Sequence, residues 1–216
     1  MNKPRIIRIL IIFVGMMSIG LGIGFYFAGY YQSQTRPDIQ GLLWPDPKQL
    51  QTFAAIDQSG QMFGIDRLRG RWSMLFFGYT HCPDICPQTL AVFNDLYRQL
   101  QGSAAARDLQ VIFVTLDPER DTTKRLQEYV GYFNPAFIGL GGTIDQIMSL
   151  AGQVGAFYMY GDKSATGDYV VDHTAAVFLI DPRGRLVAIF SSPHQVDSIR
   201  ERYKMIREFV ERQTNT

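Results

Sequence analysis

An uncharged, bulky run at residues 72–79 (WSMLFFGY) passes through Gly78-Tyr79-Thr80-His81-Cys82-Pro83-Asp84-Ile85-Cys86-Pro87 into a segment where Leu90, Phe93, Leu96, Tyr97 and Leu100 recur at three- and four-residue steps. The run reads as a strand buried on both faces. The segment reads as a helix with one apolar face that fades at Gly102. A doubly buried strand feeding an amphipathic helix demands layers on both sides of a sheet, which restricts the chain to α/β architectures. Both cysteines of the chain lie at this seam, four residues apart. Unpaired N–H groups and the positive dipole end gather at such a turn, so a thiolate there is stabilised and its pKa falls.

Two cysteines in 216 residues exclude a disulfide scaffold, and the length suits one membrane segment plus one domain of ordinary size. The formal charge is +1, but without Lys3, Arg5 and Arg8 the remainder has 18 basic against 20 acidic residues. A near-neutral domain gives no electrostatic case for nucleic acid, and that class is set aside. Residues 9–31 contain no charge over 23 positions; as a helix they span roughly 34 Å, enough for a bilayer core. An uncleaved anchor is favoured over a signal peptide, whose apolar part is only about 7–15 residues long. No cysteine follows the segment to carry a lipid, and Gly20 with Gly24 forms a weak small-xxx-small pair. The positive-inside rule keeps residues 1–8 in the cytoplasm. The expectation is a single pass through a bacterial cytoplasmic membrane, with the remainder on the periplasmic side, where thiols oxidise readily.

Residues 32–48 carry Pro37, Pro45 and Pro47 with little periodicity and read as an extended tether on which Trp44 can dock. The domain follows over 49–213. Residues 53–57 and 61–65 flank Gln58-Ser59-Gly60 as a small hairpin. Residues 109–116 (LQVIFVTL) form a second buried strand, and Asp121 or Thr122 caps a helix bearing Leu126, Tyr129, Val130 and Phe133. A short strand at 137–140 precedes a helix from Thr143 to a stop at Gly155. Residues 175–180 and 186–190 pair across Asp181-Pro182-Arg183-Gly184, and a last helix starts at Pro193 with Val196, Ile199, Tyr203, Ile206 and Val210 on one face. This order gives an α/β three-layer domain with a central mixed sheet. A cysteine pair at its first long strand-to-helix turn points to the thioredoxin-like class.

Residues i and i+4 of a helix lie on one face with Cα atoms about 6 Å apart, so Cys82 and Cys86 can form a disulfide or turn both sulfurs toward one ion. Redox dithiols of the thioredoxin type use C-x-x-C, one residue shorter, and the departure favours a metal. The third ligand must come from His81, His173 or His194. His173, in Asp172-His173-Thr174 just before a strand, occupies the loop that carries a cis-proline in thioredoxin-type reductases; no proline occurs here between Pro135 and Pro182. Its other reading is a loop histidine bonded to Asp172. His81 precedes the turn and is expected to point away from the sulfurs, and His194 is expected to be an exposed loop residue. Two sulfurs and one imidazole select Cu(I) and accommodate Cu(II) with a weak extra ligand. Zinc comes second, because it needs Asp84 as a fourth ligand. An open three-ligand site suits handing the ion on by ligand exchange.

FFGYTHCPDICPQTL, VTLDPERDT and VDHTAAVFLIDPRGRLV together resemble the Sco/SenC family of copper chaperones, in motif order over residues 53–210. The resemblance implies a thioredoxin-like fold on one N-terminal membrane helix, with Cys82, Cys86 and His173 as copper ligands. It also implies a part in building the dinuclear copper centre of cytochrome c oxidase subunit II, by delivering copper or by reducing that subunit's cysteines. Another periplasmic copper chaperone is a candidate donor. Asp84, Asp117 and Asp121 match family positions near the site, as surroundings or partner surface, or simply as caps and turn formers. A metallochaperone rather than an enzyme is the first reading. A membrane-tethered thiol:disulfide oxidoreductase using Cys82 and Cys86 is the second, and a peroxiredoxin-like peroxidase is a third that no residue asks for.

Overall fold

The computed structural model describes residue 13, residues 15–26 and residues 39–214. Residues 15–26 are helical with exposed side chains. Among the described residues no helix is long and apolar enough to cross a membrane. Residues 9–12, 14 and 27–31 of the expected span lie outside the described residues.

The second compact unit begins at Ile39. Its centre is a pair of fully buried strands, β4 (Trp72–Gly78) and β5 (Leu109–Thr115), running parallel with Phe76 opposite Phe113. Around them an eight-stranded sheet is assembled in the order β1 (Lys48–Gln49), β10 (Arg185–Ser191), β9 (Ala176–Ile180), β4, β5, β6 (Ile138–Gly141), β2 (Ala54–Asp57), β3 (Met62–Gly64). β6 is parallel to β5, whereas β9 is antiparallel to β4, so the sheet is mixed. Two further short strands, β7 (Tyr158–Tyr160) and β8 (Val171–His173), pair with each other as a separate antiparallel ribbon.

Side chains alternate across a strand, and both faces of this sheet are therefore apolar. Trp72, Met74, Phe76, Val111, Phe113, Val177 and Leu179 face one side, which is covered by α1 (Ile85–Leu100), α3 (Thr123–Phe133) and α5 (Val196–Thr214). Leu75, Phe77, Ile112, Val114, Phe178 and Ile180 face the other, covered by α4 (Ile144–Val154). A single turn, α2 (Ala104–Arg107), links α1 to β5. The result is the thioredoxin-like three-layer arrangement that the strand and helix order implies. The caps are local: Thr122 Oγ1 accepts from Arg125 N at 3.2 Å, and Thr143 forms a reciprocal capping box with Gln146.

Two expectations change. Residues 39–48 do not hang free as a tether: Leu42 is buried in the core, Leu43 N donates to Val187 O at 2.7 Å, and Trp44 packs edge-on to Phe209. β10 would otherwise be an edge with unpaired backbone groups, and this segment and β1 satisfy them. The last helix starts at Val196 rather than Pro193, because Gln195 O is the acceptor for Ile199 N and Pro193 stays in the preceding turn.

The β9–β10 turn shows how a buried acid organises this edge. Gly184, at the fourth turn position, has a positive φ of 75° that only glycine takes without strain. Asp181 is buried and accepts from Arg183 N, Arg185 N and the Arg185 guanidinium, whose Nε and Nη2 lie 2.8 and 2.6 Å away. Removing one partner of such a pair strands the other charge. Asp181→Ala is expected to lower unfolding free energy by about 3 kcal/mol in urea titrations, with the m-value unchanged; a loss below about 0.5 kcal/mol would show that the pair contributes nothing.

Candidate metal centre

The turn between β4 and α1 is fixed from both sides. At the end of β4, Gly78 lies so close to the first helical turn that a Cβ there would stand 2.5 Å from Cys86 Sγ and 2.9 Å from the Phe113 ring. A side chain is therefore excluded wherever the sulfur is to sit against the strand end. Beyond it, Asp121 is buried and accepts from Thr80 N at 2.9 Å, Thr80 Oγ1 at 2.6 Å and Thr115 Oγ1 at 2.5 Å. Thr80 Oγ1 in turn accepts from Arg125 Nε at 3.1 Å. These bonds tie the ends of β4 and β5 and the start of α3 to the residue two positions before Cys82.

Cys82 does not share a helix face with Cys86. It lies three residues before α1, in a turn closed by its own N–H to Tyr79 O at 3.2 Å, whereas Cys86 is the second residue of α1. Pro83 precedes the helix and the chain is still turning there, so the pair meets across a loop and a helix start. Cys86 is fully buried, Cys82 is half-buried, and both are free thiols. His173, the last residue of β8, sits opposite Tyr158 and places Nε2 3.5 Å from Cys86 Sγ. Its Nδ1 lies 3.3 Å from Thr174 O, which fixes the direction of the ring. Phe76 and Tyr79 hold the ring edge-on, with centroids 6.0 and 6.2 Å away.

One ligand atom from each of Cys82, Cys86 and His173 lies within 4.8 Å of the others. Donors that share one ion through bonds of about 2.0–2.3 Å stand at most about 4.6 Å apart. The set thus lies within reach of a single ion, and its two sulfurs and one imidazole nitrogen are a soft donor set. The thiols are unequal. A hydrogen bond from the Cys86 thiol, helped by His173 and by the Asp84 and Cys86 amides and opposed by burial, draws the Cys82 pKa down to about 3. The same hydrogen bond to Cys82, with burial and the nearby Cys82 charge, pushes Cys86 far up. The reduced pair is a thiolate at Cys82 stabilised by a thiol at Cys86.

The other candidates have separate places. Asp84 stands at the N-cap position of α1, where its exposed carboxylate bonds Gln88 Nε2 and makes no cap bond, and it is not in the cluster. His81, 44% exposed, turns to Thr80 and Asp121, 3.3 and 3.5 Å away, as its position before the turn implies. His81, Asp117 and Asp121 also converge, but the acids are taken: Asp121 as above, and Asp117 by the Tyr169 hydroxyl at 2.6 Å and by Arg120 Nε. His194 is not an exposed loop residue. Both ring nitrogens are buried, burial lowers its pKa against a hydrogen bond with the Ala175 backbone that raises it, and the ring meets Phe76 edge-on at 6.4 Å. Sequence reasoning did not reach Gly78, Arg120 or Tyr169. For Gly78 a signal existed, since a glycine closing a doubly buried run ahead of a cysteine turn marks a close backbone approach.

A family model described as SCO1/SenC matches residues 45–208. The mitochondrial SCO2 homologue of Bos taurus is 36% identical over 68% of this chain and 55% of its own length, so the chain spans about half of that relative. A putative copper-binding protein of Stutzerimonas stutzeri is 36% identical over 73% of this chain and 76% of its own. Among solved structures, Arabidopsis thaliana ScoI with copper bound is similar, with a TM-score of 0.65, 34% identity and coverage of 74% of this chain and 98% of that one. Matched over most of its length by the family model and by relatives more than 30% identical, the chain belongs to the SCO1/SenC family.

Proposed function

We propose that this chain is a copper chaperone that takes one copper ion at Cys82, Cys86 and His173 and hands it on by ligand exchange. The observation that carries the reading is the convergence of two thiol sulfurs and an imidazole nitrogen within 4.8 Å. The copper bound by the Arabidopsis thaliana ScoI structure supports it, as does the description of the Stutzerimonas stutzeri relative. Cu(I) is the favoured cargo, because three soft donors satisfy its preferred coordination, and Cu(II) would require a weak extra ligand. Cys86 is buried and Cys82 half-buried, so an incoming ligand meets Cys82 first and Cys86 is the last donor released.

The resemblance to the Sco/SenC family makes cytochrome c oxidase subunit II the proposed acceptor. The uncharged stretch over 9–31 after Lys3, Arg5 and Arg8 supports a membrane anchor with the domain on the periplasmic side of a bacterial cytoplasmic membrane. One observation favours a second reading. A half-exposed thiolate at Cys82 backed by a buried thiol at Cys86 is the arrangement of a nucleophile and its resolving partner in thiol:disulfide exchange. The two readings join in one cycle, since a Cys82–Cys86 disulfide removes both sulfur ligands and thus abolishes copper binding until two electrons and two protons restore the thiols.

Competition with a chromogenic Cu(I) chelator separates them. Loss of a residue that merely supports a ligand weakens metal binding about 10–100-fold, so the reduced full-length chain is expected to bind one copper, and Cys82→Ser, Cys86→Ser and His173→Ala each to weaken it more than about 100-fold. A His173→Ala chain that binds copper like the parent while reducing disulfides briskly would replace the chaperone by the reductase. The thiol asymmetry has its own readout. With Cys82 depressed to about 3, its alkylation by iodoacetamide in the reduced, metal-free chain should be flat from about pH 5 to 8, whereas an ordinary cysteine slows about tenfold per unit below its pKa. Cys86→Ala removes the donor, so the alkylation profile shifts toward that of an ordinary cysteine; a tenfold fall between pH 7 and 6 in the unsubstituted chain would refute the assignment.

A further inference from the structure

The ribbon of β7 and β8 joins neither edge of the eight-stranded sheet, yet it carries His173. Burial of Val171 seats part of it on the core. The Val171 backbone bonds the Tyr79 hydroxyl, and further polar fastenings go to one loop. Tyr160 Oη donates to Leu116 O at 2.7 Å, and Tyr169 Oη donates to Asp117 Oδ1 at 2.6 Å. Arg120 lies over the Tyr169 ring with its guanidinium carbon 3.7 Å from the centroid. It donates Nη2 to Tyr169 O at 3.0 Å and Nε to Asp117 Oδ2. The Asp117 side chain is almost fully buried and that of Arg120 mostly so, which makes their charge-assisted bond a strong one. Lys163 and Glu119 pair at 3.7 Å in solvent and contribute little.

The far end of the same loop is Asp121, whose carboxylate holds Thr80 and with it the turn bearing Cys82. Six residues, 116–121, therefore grip the two halves of the site: one end holds the sulfur turn and the other the imidazole ribbon. We propose that Asp117, Arg120 and Tyr169 form a clasp that sets His173 against the cysteine pair, and that these three are positioning residues governing how fast the bound ion is released. The copper arm of this inference rests on the chaperone reading above. The clasp itself does not.

Tyr169→Phe is the test, because it removes one hydroxyl, keeps the ring under Arg120 and leaves a buried carboxylate oxygen unpaired. In the reduced, metal-free full-length chain, hydrogen exchange is read first. The amides of Gly161 and Thr174 bond across the ribbon to Val170 O and Phe157 O, and they should exchange about tenfold faster in the variant while those of α1 and β4 are unchanged. Unchanged exchange in the ribbon overturns the clasp, and so does an equal rise in α1, which would mean general loosening. Copper release to excess chelator is read second, in a double-mutant cycle. Release should speed up about tenfold on Tyr169→Phe, and less than about twofold when the same change is made in a His173→Ala chain, if the clasp acts only through the imidazole. Equal acceleration in both backgrounds overturns it. A parent chain that takes up no copper defeats the chaperone reading instead, and the exchange result then decides the clasp alone.

Discussion

The site depends on one buried carboxylate. Asp121 lies beneath the ends of β4 and β5, where two parallel strands stop side by side and Leu116 N makes a last bond across to Gly78 O at 2.7 Å. Burying a lone carboxylate is strongly unfavourable, and it persists here because Thr80 N, Thr80 Oγ1 and Thr115 Oγ1 all donate to it. The bonds work in both directions. They compensate the acid, and they leave Thr80 no freedom, so the turn that follows leaves the sheet in one direction and delivers Cys82 over the start of α1. Sequence distance hides this: Asp121 lies 41 residues from Thr80, and only the parallel pairing of β4 with β5 brings them together.

A second constraint is volume. Cys86 can be buried against the end of β4 because residue 78 has no side chain, and that burial makes the two thiols different. Desolvation disfavours the charged form of Cys86, so in the metal-free state its proton serves as a hydrogen-bond donor to Cys82. A bound ion reverses the arrangement, since a metal displaces that proton and converts both sulfurs to thiolates. Uptake is accordingly coupled to release of one proton from a place that water barely reaches. Half-exposed Cys82 is the more accessible of the two sulfurs.

Much of this was legible from local pattern. The doubly buried run at 72–79, the amphipathic helix through Leu90–Leu100, a cap at Asp121 or Thr122, the helix opened by Thr143 and the turn at 181–184 are each written within a few residues of the element they define. The cysteine pair was evident for the same reason, although the helical i, i+4 picture mislocated Cys82, because Pro83 and Asp84 still belong to the turn. What could not be read depends on contacts between distant segments. Nothing near Leu42 says that β10 lacks a neighbour, so residues 39–48 looked like tether. His194 follows a proline in a polar loop and gave no sign that Phe76 and the core would enclose it. Tyr169 is one tyrosine in a polar stretch, and its significance appears only when the ribbon folds back over Asp117.

The division of the site between two kinds of structure bears on what it can do. Both sulfurs sit where the sheet and α1 meet, held by Gly78, Thr80 and Asp121, a region whose movement would require unpacking the core. The nitrogen sits on a ribbon whose two strands pair only with each other. A donor set built wholly into the core would hold an ion well and release it slowly, since every ligand would have to leave against packed side chains. A set built wholly on loops would not be arranged in advance and would lose affinity to ordering. Here the two sulfurs stand on the sheet and α1, and the imidazole stands on a ribbon that is seated on the core through Val171 and fastened separately. Among the described residues, the sulfurs and the imidazole are thus held by different elements, and the two halves meet through the 116–121 loop and the packing of His173 on Phe76 and Tyr79.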